Sequence, residues 1–264
     1  MMRLSEEQRH QAAQDIFEAE ATQNWTTPVS LRGDADVEDA YAIGALVTEL
    51  KVAAGRVVKG HKVGLTSKPM RAMFDTDEPD YGTLVDNMFL DEGSLISRSH
   101  MNRPLVEIEL AFVLGDELGG ADTTAADVMQ ATACVVPAIE IVDGRFAAGS
   151  TNPLVDSIAD AASCGAIILG ASSVSLHNID PRYVAGALYV DGEVEMTGTA
   201  AAVMGNPVNA VAWLARKLAA FDVAMQAGHV VLSGSFIAAV PIDGAASYVA
   251  DFGPLGEISF RVSD

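Results

Sequence analysis

Apolar positions recur with a helical period over roughly the first 56 residues, then give way to short runs broken by glycine, proline and aspartate. Residues 5–21, SEEQRHQAAQDIFEAEA, predict a helix with Ser5 as N-cap and Gln8 at the capping-box position. Residues 36–55 predict a second, capped by Asp36, striped by Ala40, Tyr41, Val47 and Leu50, and stopped at Gly55. Beyond Val57, seven stretches have strand character: 105–114, 135–142, 165–170, 186–196, 229–236, 247–252 and 256–262. Asp191-Gly192 sits where a two-residue hairpin turn belongs. Helices interrupt at 123–133 and at 206–221, the latter with Asn206 as cap and Pro207 in the first helical position. The pattern is α+β, with an N-terminal helical segment over 1–56 and a β-rich core over 57–264, and not a series of βαβ units.

Charge narrows the partners. Sixteen Lys and Arg against 36 Asp and Glu leave a formal net charge of −20. Such a field repels phosphate backbones and anionic lipid surfaces, so neither nucleic acid nor membrane is an expected partner. An anionic small molecule needs a cation to hold it locally. Two cysteines exclude a four-thiolate metal site and make a disulfide framework improbable. No apolar signal segment opens the chain and no run reaches transmembrane length, so a cytoplasmic protein is expected. Dinucleotide-binding, Walker, nucleophile-elbow and zinc-protease motifs are all missing from the sequence.

Carboxylates inside apolar runs carry the chemistry that remains. Glu107 and Glu109 open the run LVEIELAFVL, and alternation places them on one strand face, about 6.5–7 Å apart. Glu140 stands alone in VVPAIEIV. A hard divalent cation wants several oxygen ligands, and three carboxylates from two strands suit Mg²⁺ or Mn²⁺. Strands with one wet face also carry such acids, and the two readings stand level on these residues alone. Upstream, GHKVGLTS (60–67) reads as a glycine-flanked loop in which Lys62 is a cation for an anionic substrate. The following EPDYGTL places Asp80 in a turn after Pro79, where a plain surface turn is the simpler reading. Ser163 and Cys164 lack a His–carboxylate partner in the pattern, so packing roles are expected of them.

Taken in order, GHKVGLTS, EPDYGTL, VEIELAFVL, VVPAIEIVD, IADAASCG, GNPVNAVAWLARKLA and AGHVVLSGSF resemble the hydratase/decarboxylase branch of the fumarylacetoacetate hydrolase superfamily. The resemblance runs from the second helix to the C-terminus. It implies a β-rich core of that family's type, a mixed sheet curled into a roll or barrel, and a homo-oligomer. It also implies Glu107, Glu109 and Glu140 as ligands of Mg²⁺ or Mn²⁺, with Lys62 and Asp80 as acid/base and substrate-orienting residues. The activity implied is hydration of a 2-oxo-alkenoate or 2-hydroxydienoate in the catabolism of aromatic compounds, with 2-oxohept-4-ene-1,7-dioate as the expected substrate. Decarboxylation of a 4-oxalocrotonate-type acid, hydrolytic C–C cleavage of an acylpyruvate, and a silent partner subunit are the alternatives. Two positions depart from the family pattern: Ala161 after Asp160, and Leu105 after Pro104.

Overall fold

The computed structural model describes residues 2–264. Among the described residues the six α-helices are α1 (Glu6–Thr22), α2 (Val37–Ala53), α3 (Lys68–Met73), α4 (Ala125–Ala131), α5 (Pro153–Ala159) and α6 (Pro207–Ala219). Thirteen strands follow in chain order: β1 (Val58–Gly64), β2 (Asp80–Val85), β3 (Phe89–Leu90), β4 (Leu95–Ser97), β5 (Leu105–Leu114), β6 (Thr132–Val142), β7 (Cys164–Leu169), β8 (Ala185–Val190), β9 (Glu193–Thr199), β10 (Val230–Leu232), β11 (Val240–Pro241), β12 (Ala246–Asp251) and β13 (Glu257–Ser263).

The helix starts follow from local chemistry. Ser5 with Gln8, and Asp36 with Asp39, each form the reciprocal capping box that satisfies two otherwise unpaired backbone N–H groups. Asn206 caps α6 and Pro207 takes its first turn, where no N–H is needed. Asp191 and Gly192 form the β8–β9 hairpin, both with positive φ, as a primed turn demands. The stretch 60–67 differs from its expectation. Val58–Gly64 is a strand, because β10 pairs with it in parallel on one side and β2 antiparallel on the other. The main-chain hydrogen bonds of both neighbours outweigh the loop-forming tendency of its two glycines.

Two sheets organise the chain. The larger has the order β2-β1-β10-β5-β6-β7-β3, with β11 also pairing with β5, and the smaller has the order β4-β13-β12-β8-β9. Alternation along β5 sends Val106, Ile108, Leu110 and Phe112 to one face. There they join the largest apolar cluster, with Val211 and Leu214 of α6 and Tyr248 and Phe260 of the smaller sheet. The opposite face carries Glu107 and Glu109. A separate cluster joins Ile16 of α1, Ile43 and Val47 of α2, and Val155 and Ile158 of α5. No helix among the described residues is long and apolar enough to cross a membrane.

The larger sheet curls far enough to bring the turn that precedes β7 against its opposite edge. Ala161, Ala162 and Ser163, between α5 and β7, touch β2 at the far edge. A side chain at Gly82 of β2 would place its Cβ 2.0 Å from the Ala161 carbonyl oxygen, so only glycine permits this approach. The site lies inside that curl.

Candidate metal and acid/base site

Register brings the acids together. β5 and β6 run antiparallel with Glu107 directly opposite Glu140, and Glu109 opposite Ala138. All three glutamates therefore share the inner face, and one oxygen from each lies within 4.8 Å of the others. Glu109 and Glu140 are fully buried, while Glu107 is half-buried. The Gly234 backbone N–H donates to Glu109 Oε2 at 2.7 Å. Glu140 has no hydrogen-bond donor on either oxygen. Its one cation, Lys62 Nζ, stands 3.1 Å from Oε1 without hydrogen-bond alignment, so the contact is an ion pair only. Two orphaned carboxylate oxygens in a dry interior are costly unless a further positive charge faces them. The donor set, all oxygen and all carboxylate, fits a hard divalent cation.

Lys62 reaches this cluster from β1, three strands away across β10 and β5. In a flat sheet that separation is about 14 Å, too far for a lysine and a glutamate to meet. The curl closes the gap. Lys62 Nζ also donates to the Ala162 carbonyl at 2.7 Å. The residues presenting that carbonyl have φ of 50°, 51° and 57° at Ala161, Ala162 and Ser163. Each left-handed non-glycine residue costs roughly 1–2 kcal/mol, so the turn is strained and something must hold it.

Asp80 opens β2, opposite Gly64 in the register with β1. It is 1 % exposed, which removes the surface-turn reading: burial against the turn at 161–163, not Pro79, sets its surroundings. Ser157 of α5 donates its hydroxyl to Asp80 Oδ2 at 2.8 Å, and Oδ1 has no partner. Gly64 makes room for that free oxygen, since a Cβ there would lie 2.2 Å from it.

Protonation follows from crowding of like charge in a dry place. Burial, then the neighbouring Glu140, pushes Glu107 up to about 7. The same causes, with Glu107 added, carry Glu109 well above the usual carboxylate range. Burial raises Asp80 against the opposing pull of Lys62 and the Ser157 hydrogen bond. Burial alone would lower Lys62, but Glu140, Glu107 and Asp80 together outweigh it and raise the ammonium above its ordinary value. Lys62 is therefore a firm cation with three donors, of which one goes to the Ala162 carbonyl, while its charge faces Glu140.

All five residues singled out in the sequence lie on this one face. Three groups that hold them were not singled out: the Ser157 hydroxyl, the Gly234 N–H and the Ala162 carbonyl. The last two are main-chain atoms, which residue type does not advertise. Gly234 alone had a signal, the SGS break after an apolar run. Cys164 begins β7, fully buried, and burial followed by Glu140 drives its thiol well above its ordinary value, so it is no nucleophile. Ser163 donates to Asp160 Oδ2 at 3.4 Å and serves the turn.

Comparison with known proteins agrees with this architecture. The family model for the fumarylacetoacetate (FAA) hydrolase C-terminal region matches residues 51–257. The chain is 40% identical over 255 residues to the 2-oxo-hept-4-ene-1,7-dioate hydratase of Escherichia coli, covering 94% of this chain and 96% of that protein. It is 38% identical over 233 residues to a 2-keto-4-pentenoate hydratase of Paraburkholderia xenovorans (strain LB400), covering 88% and 86% respectively. Among solved structures, 4-oxalocrotonate decarboxylase from Pseudomonas putida G7, complexed with magnesium and adipate, superimposes with a TM-score of 0.95 at 30% identity, over 99% of this chain and 100% of that one. By sequence and by fold, the chain belongs to the fumarylacetoacetate hydrolase family.

Proposed function

We propose that this protein is a divalent-metal-dependent hydratase that adds water to a 2-oxo-alkenoate or its 2-hydroxydienoate tautomer, with 2-oxohept-4-ene-1,7-dioate preferred. The observation that carries the reading is the convergence of Glu107, Glu109 and Glu140 beside Lys62 and Asp80 on one buried face. Full-length similarity to the Escherichia coli hydratase supports the substrate. Glu107, Glu109 and Glu140 would hold the ion, and Mg²⁺ is the proposed occupant because the magnesium complex of the decarboxylase has this fold. Bound there, the ion supplies Lewis acidity toward the carboxylate and keto oxygens of a 2-oxo acid.

The protein's own groups do the rest. Lys62, with one N–H held by the Ala162 carbonyl, directs another at a substrate oxygen and offsets the acid's charge in a chain of net charge −20. Asp80 accepts or returns a proton at Oδ1, the oxygen with no other partner, while Ser157 fixes Oδ2. Proton movement along the conjugated chain and conjugate attack by water need such a pair near opposite ends of a short substrate. The same reading makes 1–56 a helical buttress, and the protein a cytoplasmic homo-oligomer acting on a small molecule. Hydrolytic C–C cleavage of an acylpyruvate and a silent partner role have no observation in their favour.

Purified protein with Mg²⁺ is offered 2-oxohept-4-ene-1,7-dioate, 2-hydroxypenta-2,4-dienoate and 4-oxalocrotonate in turn, following dienol absorbance and CO₂. Hydrated product from the seven-carbon diacid is expected to form fastest. Decarboxylation is the second reading, favoured by the structural match to the Pseudomonas putida G7 decarboxylase, and CO₂ without hydrated product would establish it. Glu109→Gln keeps the shape of one ligand without its charge. Calorimetry should then show Mn²⁺ affinity lowered at least tenfold, and unchanged affinity would remove the metal assignment.

A further inference from the structure

A buried chain of charges runs from the N-terminal helices to the strained turn beside Lys62. Glu20 of α1 lies 2.6 Å from Lys51 Nζ of α2 and 3.3 Å from Arg145 Nη2. Arg145 Nη1 donates to Asp160 Oδ1 at 3.1 Å, and Nη2 donates to the Cys164 carbonyl at 2.6 Å. Asp160 Oδ2 accepts from the Arg145 backbone N–H at 3.0 Å. Lys51, Arg145 and Asp160 are each at least 95 % buried. Arg145 and Asp160 thus grip the two ends of the segment 160–164, and Ala161, Ala162 and Ser163 between them are the three consecutive left-handed residues. None of the four charged groups belongs to the proposed catalytic set, yet Lys51, Arg145 and Asp160 are withdrawn from water at a cost that ion pairing by itself rarely recovers, with Glu20 partly exposed at the outer end.

We infer that the Glu20–Lys51–Arg145–Asp160 chain is a positioning device: it holds the 161–163 turn left-handed so that the Ala162 carbonyl fixes the Lys62 ammonium where it meets the substrate. Arg145 and Asp160 are its positioning residues. The consequence for catalysis rests on the hydratase reading; the consequence for Lys62 does not. Released from the pair, the turn would relax toward an extended or right-handed backbone and withdraw the carbonyl. Lys62 would then swing wholly onto Glu140. The planar fork of Arg145 reaches Asp160 and Cys164 at once, which a lysine ammonium cannot do with the same geometry.

The test uses Arg145→Lys and the double variant Arg145→Met/Asp160→Asn, which leaves no unpaired charge between the two. Calorimetry with Mn²⁺ counts the folded, metal-loaded sites, and kcat is expressed per site. The double variant is expected to keep Mn²⁺ stoichiometry while kcat falls 10- to 100-fold and KM moves less than threefold. Arg145→Lys should recover part of the loss. Independently of turnover, the ¹⁵N ammonium resonance of Lys62, assigned by its disappearance in Lys62→Met, should be visible in the wild type and lost to fast exchange in the double variant. A double variant with kcat within twofold of wild type and the resonance retained overturns the inference. Should the double variant not fold, Arg145→Lys decides: a kcat at least threefold lower at full Mn²⁺ stoichiometry supports it, and wild-type kcat with an unchanged resonance refutes it. A wild-type chain inert toward every 2-oxo acid would end the hydratase reading alone, leaving the resonance to judge the positioning claim.

Discussion

Asp80 and Lys62 sit within the same buried face, but their surroundings give them separable tasks. Asp80 has one oxygen fixed by Ser157 and one free, with burial holding its proton more tightly than an ordinary aspartate. Asp80→Asn preserves size and hydrogen bonding but cannot accept a proton, so kcat should fall roughly 10²- to 10⁴-fold. KM should move little, because in the proposed site the ion and Lys62 would still bind the 2-oxo acid end. Lys62→Met removes the local cation as well, and both a lower kcat and a higher KM are expected from steady-state kinetics. Near wild-type turnover by Asp80→Asn would reduce the residue to a packing role. Legibility followed chemistry. A carboxylate in an apolar run contradicts its surroundings and can be noticed, as Glu140 was. Asp80 stands out as a turn residue beside Pro79, and only the resemblance gives it a catalytic role. The carbonyl of Ala162 has no signature, since any residue could supply it.

The elements that were readable are those whose stop and start signals are local. Both N-terminal capping boxes, the Asn206-Pro207 helix start and the Asp191-Gly192 hairpin are where their residues predict. The strand β1 was not readable, because its pairing partners β10 and β2 are brought to it by the fold and not by its own glycine-rich residues. Nor was the left-handed turn at 161–163, in which three residues that disfavour positive φ are held there by contacts outside the turn. Its closest support is β2, and Gly82 is the point of contact. Gly82→Ala puts a methyl group 2.0 Å from the Ala161 carbonyl oxygen, an overlap that only a backbone shift relieves. A stability loss of about 1–3 kcal/mol is expected from such overpacking, read as a lower midpoint in thermal or urea unfolding. Turnover should fall further than stability explains, because the shifted turn carries the Ala162 carbonyl away from Lys62. An unchanged midpoint would mean that β2 and the turn are looser than their packing indicates.

For the molecule as a whole, the acid cluster ties stability to pH and to metal in opposite directions. Without an ion, burial and then Glu140 hold the Glu107 proton up to about 7, against an ordinary value of 4.5 for an unfolded glutamate. Glu109 moves the same way. Between those two pH values the folded chain binds more protons than the unfolded one, so raising the pH destabilises the fold. The contribution of Glu107 is fully present below about 4.5 and is lost as pH rises through about 7. Self-repulsion in a chain of formal net charge −20 works in the same direction. A divalent ion reverses the local logic. In the proposed site it would bind the carboxylates in their ionised form, release the protons they carry, and so bind more tightly as pH rises. At a concentration of about 100 times the dissociation constant, binding to the folded state alone adds roughly 2.7 kcal/mol. Thermal unfolding at fixed Mg²⁺, compared with the same protein in a chelator, should therefore show a gap in Tm that widens steadily from pH 5.5 to pH 8. The chelated curve should decline over that interval, and Glu107→Gln should flatten it by removing one titrating group. A gap independent of pH would show that Glu107 and Glu109 are already ionised before the ion arrives, and that some other cation than the proton keeps the cluster together.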